Sequence, residues 1–250
     1  MSETLPIVVE SLSKIFHDEG RGEVRAVDGL SFEARAGEAF GLLGANGAGK
    51  TTTLRMLSTV LRPSGGSARI MGHDVVSAAQ RVRRSIGFYS ASTALYPRLT
   101  ARETLAFFVE INGYPGDPKA RVDQLIERFG ISKYADARVD KLSSGMKQKV
   151  SIARTVAHDP PILIFDEPTV GLDVLNAIEM IDAIRELRDE GKTVLFSTHI
   201  MSEMEKLCDR IAIVHAGKIL ACETLDGHRE ATGQHYLEDI FVHYLRAQEG

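Results

Sequence analysis

The chain alternates short apolar runs with longer stretches whose apolar residues recur at helical spacing. Ile7-Val8-Val9 with Leu12 opens it, closed by Lys14-Ile15-Phe16, and predicts a strand. Glu38-Ala39-Phe40-Gly41-Leu42-Leu43 predicts a second, and Leu30-Ser31-Phe32-Glu33-Ala34 alternates as a half-exposed strand does. Ser67 to Met71 and Ser85 to Tyr89 predict two more. Pro161-Ile162-Leu163-Ile164-Phe165 and Lys192-Thr193-Val194-Leu195-Phe196 are continuous apolar runs, the mark of buried parallel strands. Helical spacing covers Thr52 to Leu57 and Val75 to Arg84. Thr100-Ala101-Arg102-Glu103 is a capping box, and Leu105, Phe107, Phe108 and Ile111 continue its helix. Gly113-Tyr114-Pro115-Gly116 breaks that helix; Val122, Leu125, Ile126 and Phe129 mark another, ended by Gly130. His17 to Gly22 reads as a charged, glycine-rich loop.

Strands and helices alternate except between about Ala91 and Pro160, where only helices are expected. The pattern predicts an α/β core with a helical insertion. With 250 residues the chain can hold one large α/β domain, and 44% hydrophobic residues are ample for its core. The net charge of −4 speaks against a dedicated nucleic-acid binder, so no nucleic-acid partner is expected. Met1-Ser2-Glu3-Thr4 carries an acid and no apolar run, so no signal peptide is expected. No stretch reaches the roughly 18 apolar residues of a membrane span. Cys208 and Cys222 lack metal-type spacing and are expected as free thiols in a reducing cytoplasm.

Chemistry enters after the strand ending at Leu43. Gly44-Ala45-Asn46-Gly47-Ala48-Gly49-Lys50-Thr51 reads G-x-x-x-x-G-K-T, followed by the helical Thr52-Thr53-Leu54. Strand, glycine loop and helix in that order form the context a phosphate-binding loop needs. Glycines let backbone N–H groups wrap a polyphosphate, and the helix N-terminus adds partial positive charge. Lys50 is expected to reach the β- and γ-phosphates, and the Thr51 hydroxyl to ligate Mg²⁺.

The run ending in Phe165 leads into two adjacent carboxylates, Asp166 and Glu167. Strand C-terminal ends are where open α/β sheets bind ligands. Asp166 suits the Mg²⁺ site, through water. Glu167 can orient or deprotonate a water for attack on the γ-phosphate. His199 ends the run from Lys192; a lone histidine is usually structural, but this one could hydrogen-bond the γ-phosphate or Glu167. Ser143-Ser144-Gly145-Met146 opens a helix and makes a second anion site, although an ordinary capped helix would look the same. Since Lys50 already holds phosphates, that site would serve a second molecule's nucleotide. Phe16 could stack on an adenine ring; position alone favours a core side chain.

Taken together and in this order, the phosphate loop, Leu142 to Met146, Ile162 to Glu167, Gly171-Leu172-Asp173 and His199 resemble the ATPase subunits of ABC transporters across nearly the whole chain. The resemblance implies a P-loop NTPase fold: an ABC ATPase cassette with a RecA-like core and an inserted helical subdomain. Residues 1–250 would form one domain, with core 1–90 and 160–222, helical subdomain 91–159 and a C-terminal helix 223–250. It implies ATP and Mg²⁺ as ligands, a nucleotide site lined by Gly44, Ala45, Asn46, Gly47, Ala48, Gly49, Lys50, Thr51 and Thr52, and catalysis by Glu167, His199 and Lys50. Phe16 falls at the family's adenine-stacking aromatic. Leu142-Ser143-Ser144-Gly145-Met146 stands for the family's L-S-G-G-Q, departing at Ser144 and Met146; Ser143 and the Gly145 amide would touch the γ-phosphate across a head-to-tail homodimer. Asp173 matches the loop linking the two sites, and His199 the switch histidine. The partner implied is a separate membrane permease, which would hold the subunit at the cytoplasmic face of the cell membrane.

Leu225 onward, with Tyr236 to Phe241, resembles the C-terminal helix of ABC-2-type exporter ATPases. Ala94-Leu95-Tyr96-Pro97-Arg98-Leu99-Thr100 is similar to the sodium-extruding (NatA-type) branch and its drug-export relatives. Where the family usually has a glutamine that ligates Mg²⁺ and water, alignment puts Ala91; the branch dispenses with that ligand, or Ser90 or Ser92 replaces it. A non-transport ABC ATPase of translation or DNA repair would carry two cassettes or a long coiled-coil insertion. A P-loop kinase or GTPase would not need Leu142 to Met146, and no guanine-reading Asn-Lys-x-Asp is present.

Overall fold

The computed structural model describes residues 5–18, 20, 22–90 and 93–249. From the N-terminus, β1 (Ile7–Asp18) and β2 (Gly22–Ala34) form a hairpin, and β3 (Ala39–Leu43) leads through the phosphate loop into α1 (Lys50–Leu57). Next come β4 (Gly65–Ile70), β5 (His73–Asp74), α2 (Ala79–Ser85) and β6 (Ile86–Ser90). A helical stretch follows, with α3 (Ala101–Ile111), α4 (Pro118–Arg128), two single 3₁₀ turns and α5 (Ser144–Thr155). The chain then returns to β7 (Ile162–Asp166), α6 (Val174–Asp189), β8 (Thr193–Thr198), α7 (Met201–Leu207), β9 (Arg210–His215) and β10 (Lys218–Glu223). The helices α8 (Leu225–Thr232) and α9 (Leu237–Glu249) end it.

Two sheets carry this order. One is antiparallel, β2-β1-β4-β5; the other runs β10-β9-β3-β8-β7-β6, parallel from β9 to β6. The parallel strands are buried on both faces, which explains their unbroken apolar runs. Side chains alternate between two cores, as the period of two requires. Phe40, Leu42, Ile162, Ile164, Leu195 and Val214 face α1 and the antiparallel sheet. Leu43, Leu163, Phe165, Val194, Phe196 and Ile213 face the core formed with α3 to α7 and α9. Phe40, Phe165 and Phe196 are wholly buried, and truncating such a ring to Ala costs roughly 3–5 kcal/mol. Phe32 stacks on Phe40 with ring centroids 4.9 Å apart, joining the two sheets.

The α/β cassette with its helical insertion is the expected fold. Thr100 caps α3 as predicted: its hydroxyl accepts from Glu103 N at 3.1 Å, and Glu103 Oε2 accepts from Thr100 N at 2.8 Å. Two expectations need correction. The helix predicted over Val75 to Arg84 begins only at Ala79, because Asp74 Oδ1 accepts from Val76 N, Ser77 N and the Ser77 hydroxyl. That local turn withholds amides from a helix. Of the loop predicted over His17 to Gly22, His17, Asp18 and Gly22 are strand: His17 pairs with Glu23 and Asp18 with Gly22.

Strand order positions the site. β8 lies between β3 and β7, and their C-terminal ends align, with Leu43 beside Thr198, Ser197 beside Asp166, and Asp166 beside Ser90. The phosphate loop, the Asp166-Glu167 pair and His199 therefore leave one edge of one sheet.

Candidate nucleotide site

The loop from Gly44 to Gly49 closes tightly on β9 and β2. A Cβ at Gly44 would come within 2.3 Å of the Val214 carbonyl oxygen, which no relaxation of a side chain could relieve. Gly49 has φ +105°, in the left-handed region, and a Cβ there would meet the Ala26 carbonyl at 2.5 Å. Gly217 N donates to Ala48 O at 2.9 Å, so the turn between β9 and β10 holds the loop from below. Helix α1 starts at Lys50, which turns the unpaired amides of its first turn toward the loop.

Lys50 is 3% exposed. Its ammonium donates to Gly44 O at 2.7 Å and Ala45 O at 3.1 Å, and lies 3.2 Å from Glu167 Oε1. The next side chain, Thr51, donates its hydroxyl to Asp166 Oδ1 at 2.9 Å. Asp166 is buried and gathers two further hydroxyls, Ser197 Oγ at 3.0 Å and Ser90 Oγ at 3.5 Å. Glu167 turns off the strand end with φ +46°, a conformation that side-chain-bearing residues rarely adopt. That turn brings its carboxylate between Lys50 and His199, whose Nδ1 lies 3.4 Å from Glu167 Oε1. The segment carrying His199 is clipped by Thr198, whose hydroxyl donates to Glu203 Oε2 at 2.7 Å and accepts from Ile200 N at 3.0 Å.

Five of the residues singled out in the sequence thus meet: Lys50, Thr51, Asp166, Glu167 and His199. Among the described residues, no hydrogen bond or ion pair ties Phe16, Asp173 or Ser143 to Met146 to that cluster. Phe16 is 40% exposed, with the Lys14 ammonium 5.2 Å from its ring centroid, so it is not a core side chain. Ser143 caps α5, its hydroxyl accepting from Met146 N at 3.3 Å. Gly145 abuts α6, since a Cβ there would lie 2.5 Å from Asn176 Oδ1. Asp173 in turn caps α6 and bonds both the Asn176 amide and its side chain. Ser143 to Met146 and Asp173 therefore form a second neighbourhood joined at Asn176. Ala91 and Ser92 lie outside the described residues. Sequence reasoning overlooked Ser197, which no motif announces.

The donor set suits Mg²⁺. Among the described residues no cluster of three or more His, Cys, Asp or Glu could enclose a metal. Mg²⁺ needs little from the protein, because it keeps waters and takes ligands from phosphates. Thr51 and Asp166 supply oxygen donors beside the phosphate loop, where Gly44 and Gly49 approach neighbouring backbone too closely for a Cβ.

Comparison with known proteins agrees with this geometry. Residues 27–170 match the family model described as ABC transporter. The chain is 40% identical to the ABC transporter ATP-binding protein NatA of Bacillus subtilis, over 96% of this chain and 98% of that protein. It is 37% identical to the daunorubicin/doxorubicin resistance ATP-binding protein DrrA of Streptomyces peucetius, over 94% of this chain and 70% of that one. Among solved structures, an ATP-binding subunit of an ABC transporter superposes with a TM-score of 0.84 at 28% identity, covering 97% of this chain and all of the other. The dimeric bacterial ABC transporter cassette MJ0796 superposes with 0.79 at 26% identity, covering 87% of this chain and 98% of the other. With the phosphate loop, the paired carboxylates and the cassette fold in place, the chain belongs to the ABC transporter family as an ATP-binding subunit.

Proposed function

We propose that this subunit hydrolyses ATP in a head-to-tail homodimer and so drives a separate membrane permease. The observation that carries it is the convergence of Lys50, Asp166, Glu167 and His199 at one sheet edge. Gly44 to Thr52 wrap the phosphates, and Lys50 neutralises charge on the β- and γ-phosphates. Thr51 and Asp166 would hold Mg²⁺, which would offset phosphate charge. Glu167 accepts the proton of the attacking water, and His199 orients Glu167 or the γ-phosphate. Phe16, exposed on β1, stacks on the adenine. Ser143, Ser144, Gly145 and Met146 of one copy close over the other copy's γ-phosphate, with Asp173 linking the two sites. The dimeric state named for the MJ0796 cassette supports that division.

We assign the chain to the sodium-extruding (NatA-type) branch of ABC-2-type exporters. Support comes from near end-to-end similarity to NatA, while similarity to DrrA keeps drug efflux as the neighbouring cargo class. Both relatives are named as transporter or resistance subunits, which favours transport over a role in translation or repair. Among the described residues no helix is long and apolar enough to cross a membrane, in keeping with a subunit held at the cytoplasmic face by its permease. Within one cassette we divide the chain into core 1–90 and 160–222, helical subdomain 91–159 and a C-terminal part 223–250, which is two helices, α8 and α9, broken at Gly233, and not the single helix expected from the sequence. Phosphate release from MgATP by the purified chain tests the enzymatic part. Turnover that falls steeply in Lys50→Ala is expected; a chain that neither binds nor hydrolyses ATP would refute it. Sodium efflux from vesicles carrying the chain together with a membrane permease partner tests the cargo.

A further inference from the structure

Ser197 takes no part in any of the motifs, yet it touches both site carboxylate residues. It is the fifth residue of β8 and is wholly buried. Its hydroxyl donates to Asp166 Oδ1 at 3.0 Å. The same oxygen accepts from the Glu167 amide at 3.2 Å, while the Ser197 carbonyl accepts from that amide at 3.1 Å. Two residues further on stands His199, with Nδ1 3.4 Å from Glu167 Oε1.

A serine hydroxyl has one proton to give and two lone pairs to receive. Here the proton goes to the carboxylate on the metal side. A lone pair takes the amide of the residue on the water side, whose backbone sits at φ +46°. Asp166 Oδ1 receives Thr51 and Ser197 together, which fixes the rotation of the carboxylate plane. The Ser90 hydroxyl, at 3.5 Å from Oδ2, is a weaker restraint. Folding asks less of the Ser197 hydroxyl, because the Glu167 amide would keep the Ser197 carbonyl and Asp166 would keep Thr51.

We propose that Ser197 is a positioning residue: through Asp166 it sets the metal-binding geometry, and through the Glu167 backbone it ties that geometry to the attacking-water side. The proposal rests on the ATPase reading above. Its consequence is specific, since loss of the hydroxyl loosens the Asp166 carboxylate and weakens the metal dependence of nucleotide binding rather than nucleotide binding itself.

The test uses the full chain with Glu167→Gln as background, so that nucleotide is not consumed. Affinity for a fluorescent ATP analogue is titrated against Mg²⁺, and Mn²⁺ binding in the ATP complex is followed by electron paramagnetic resonance. Ser197→Ala should need roughly tenfold more metal, the size of one hydrogen bond to a charged group. Its affinity for the analogue without metal should stay unchanged. Ser197→Thr and Ser197→Val have nearly the same shape and differ in the hydroxyl; Thr should restore the wild-type metal requirement and Val should not. Thermal unfolding of each variant checks folding. If Thr and Val shift the metal requirement equally, volume rather than the hydroxyl matters and the proposal falls. If Ser197→Ala keeps the background's metal requirement while that background binds nucleotide in a metal-dependent way, the proposal alone falls. A background with no metal-dependent binding overturns the ATPase reading with it.

Discussion

The Lys50 ammonium lies 3.2 Å from Glu167 Oε1, and both side chains are withdrawn from solvent. One group opens α1, after β3 and its loop, and the other belongs to the turn after β7, strands separated by β8. The same Glu167 oxygen faces His199. Cation, carboxylate and imidazole thus form one line across three strand ends. Removing the Glu167 charge leaves the buried Lys50 ammonium without its carboxylate partner, which costs more than the pair contributes.

Lys50→Ala should lower ATP turnover by roughly 10²–10³, the size of losing one preorganised charge clamp. Ser143→Arg should abolish turnover by another route, blocking the turn that opens α5. Mixed together, the two inactive proteins should recover activity, because one site of each heterodimer is intact. Phosphate release from the mixture measures this. An inactive mixture in which heterodimers are demonstrated would contradict the head-to-tail arrangement.

Metal dependence separates the residues around Asp166. Ser90→Ala should raise the Mg²⁺ concentration for half-maximal turnover by only about twofold to threefold, since its contact is long. Ala91→Gln should lower that concentration by supplying an amide oxygen donor, and Ser92→Ala should leave it unchanged. A Mg²⁺ titration at fixed ATP compares the three. A sharp rise in Ser92→Ala alone would transfer the role to Ser92.

His228 links stability to pH. It is wholly buried beneath the C-terminal helices, with Nε2–H donating to Ile211 O at 2.8 Å and Nδ1 3.4 Å from the Tyr244 hydroxyl. Burial pushes the imidazole below its ordinary value, against the Ile211 hydrogen bond and the nearby Glu223 charge. A histidine depressed in the folded state contributes stability above its unfolded pKa of about 6.5 and loses it as pH falls from there through the folded value. Denaturant unfolding at pH 7.5 and pH 5.5 should therefore find the wild type less stable at the lower pH. His228→Gln should reduce that difference; an unchanged difference would assign the pH dependence elsewhere, for instance to His158, which burial also depresses.

The sequence made legible what rests on spacing. Gly44 to Thr51 is readable because glycine positions and Lys50 must fall at fixed intervals, and Asp166-Glu167 because a fully apolar strand ends abruptly in charge. The capping box at Thr100 is local chemistry and survives folding intact. Less was legible where tertiary contacts decide. Ile211-Ala212-Ile213-Val214 carried the signal of a buried parallel strand, yet β9 and β10 were not anticipated. Ser197 sits inside an apolar run, and only the parallel register that sets it beside Asp166 reveals its contacts. Asp74 displaced the start of α2 by bonding backbone that the apolar spacing had assigned to a helix.

The most direct measurement concerns Glu167, the carboxylate between Lys50 and His199. Glu167→Gln keeps the shape and removes the base. ATP binding and single-turnover phosphate release are measured together on this variant and the wild type, with the oligomeric state followed by size-exclusion chromatography in MgATP. We expect retained binding, phosphate release slower by roughly 10²–10⁴, and accumulation of a dimer. Phosphate release at the wild-type rate would contradict Glu167 as the base and with it the assignment of this sheet edge as the catalytic site.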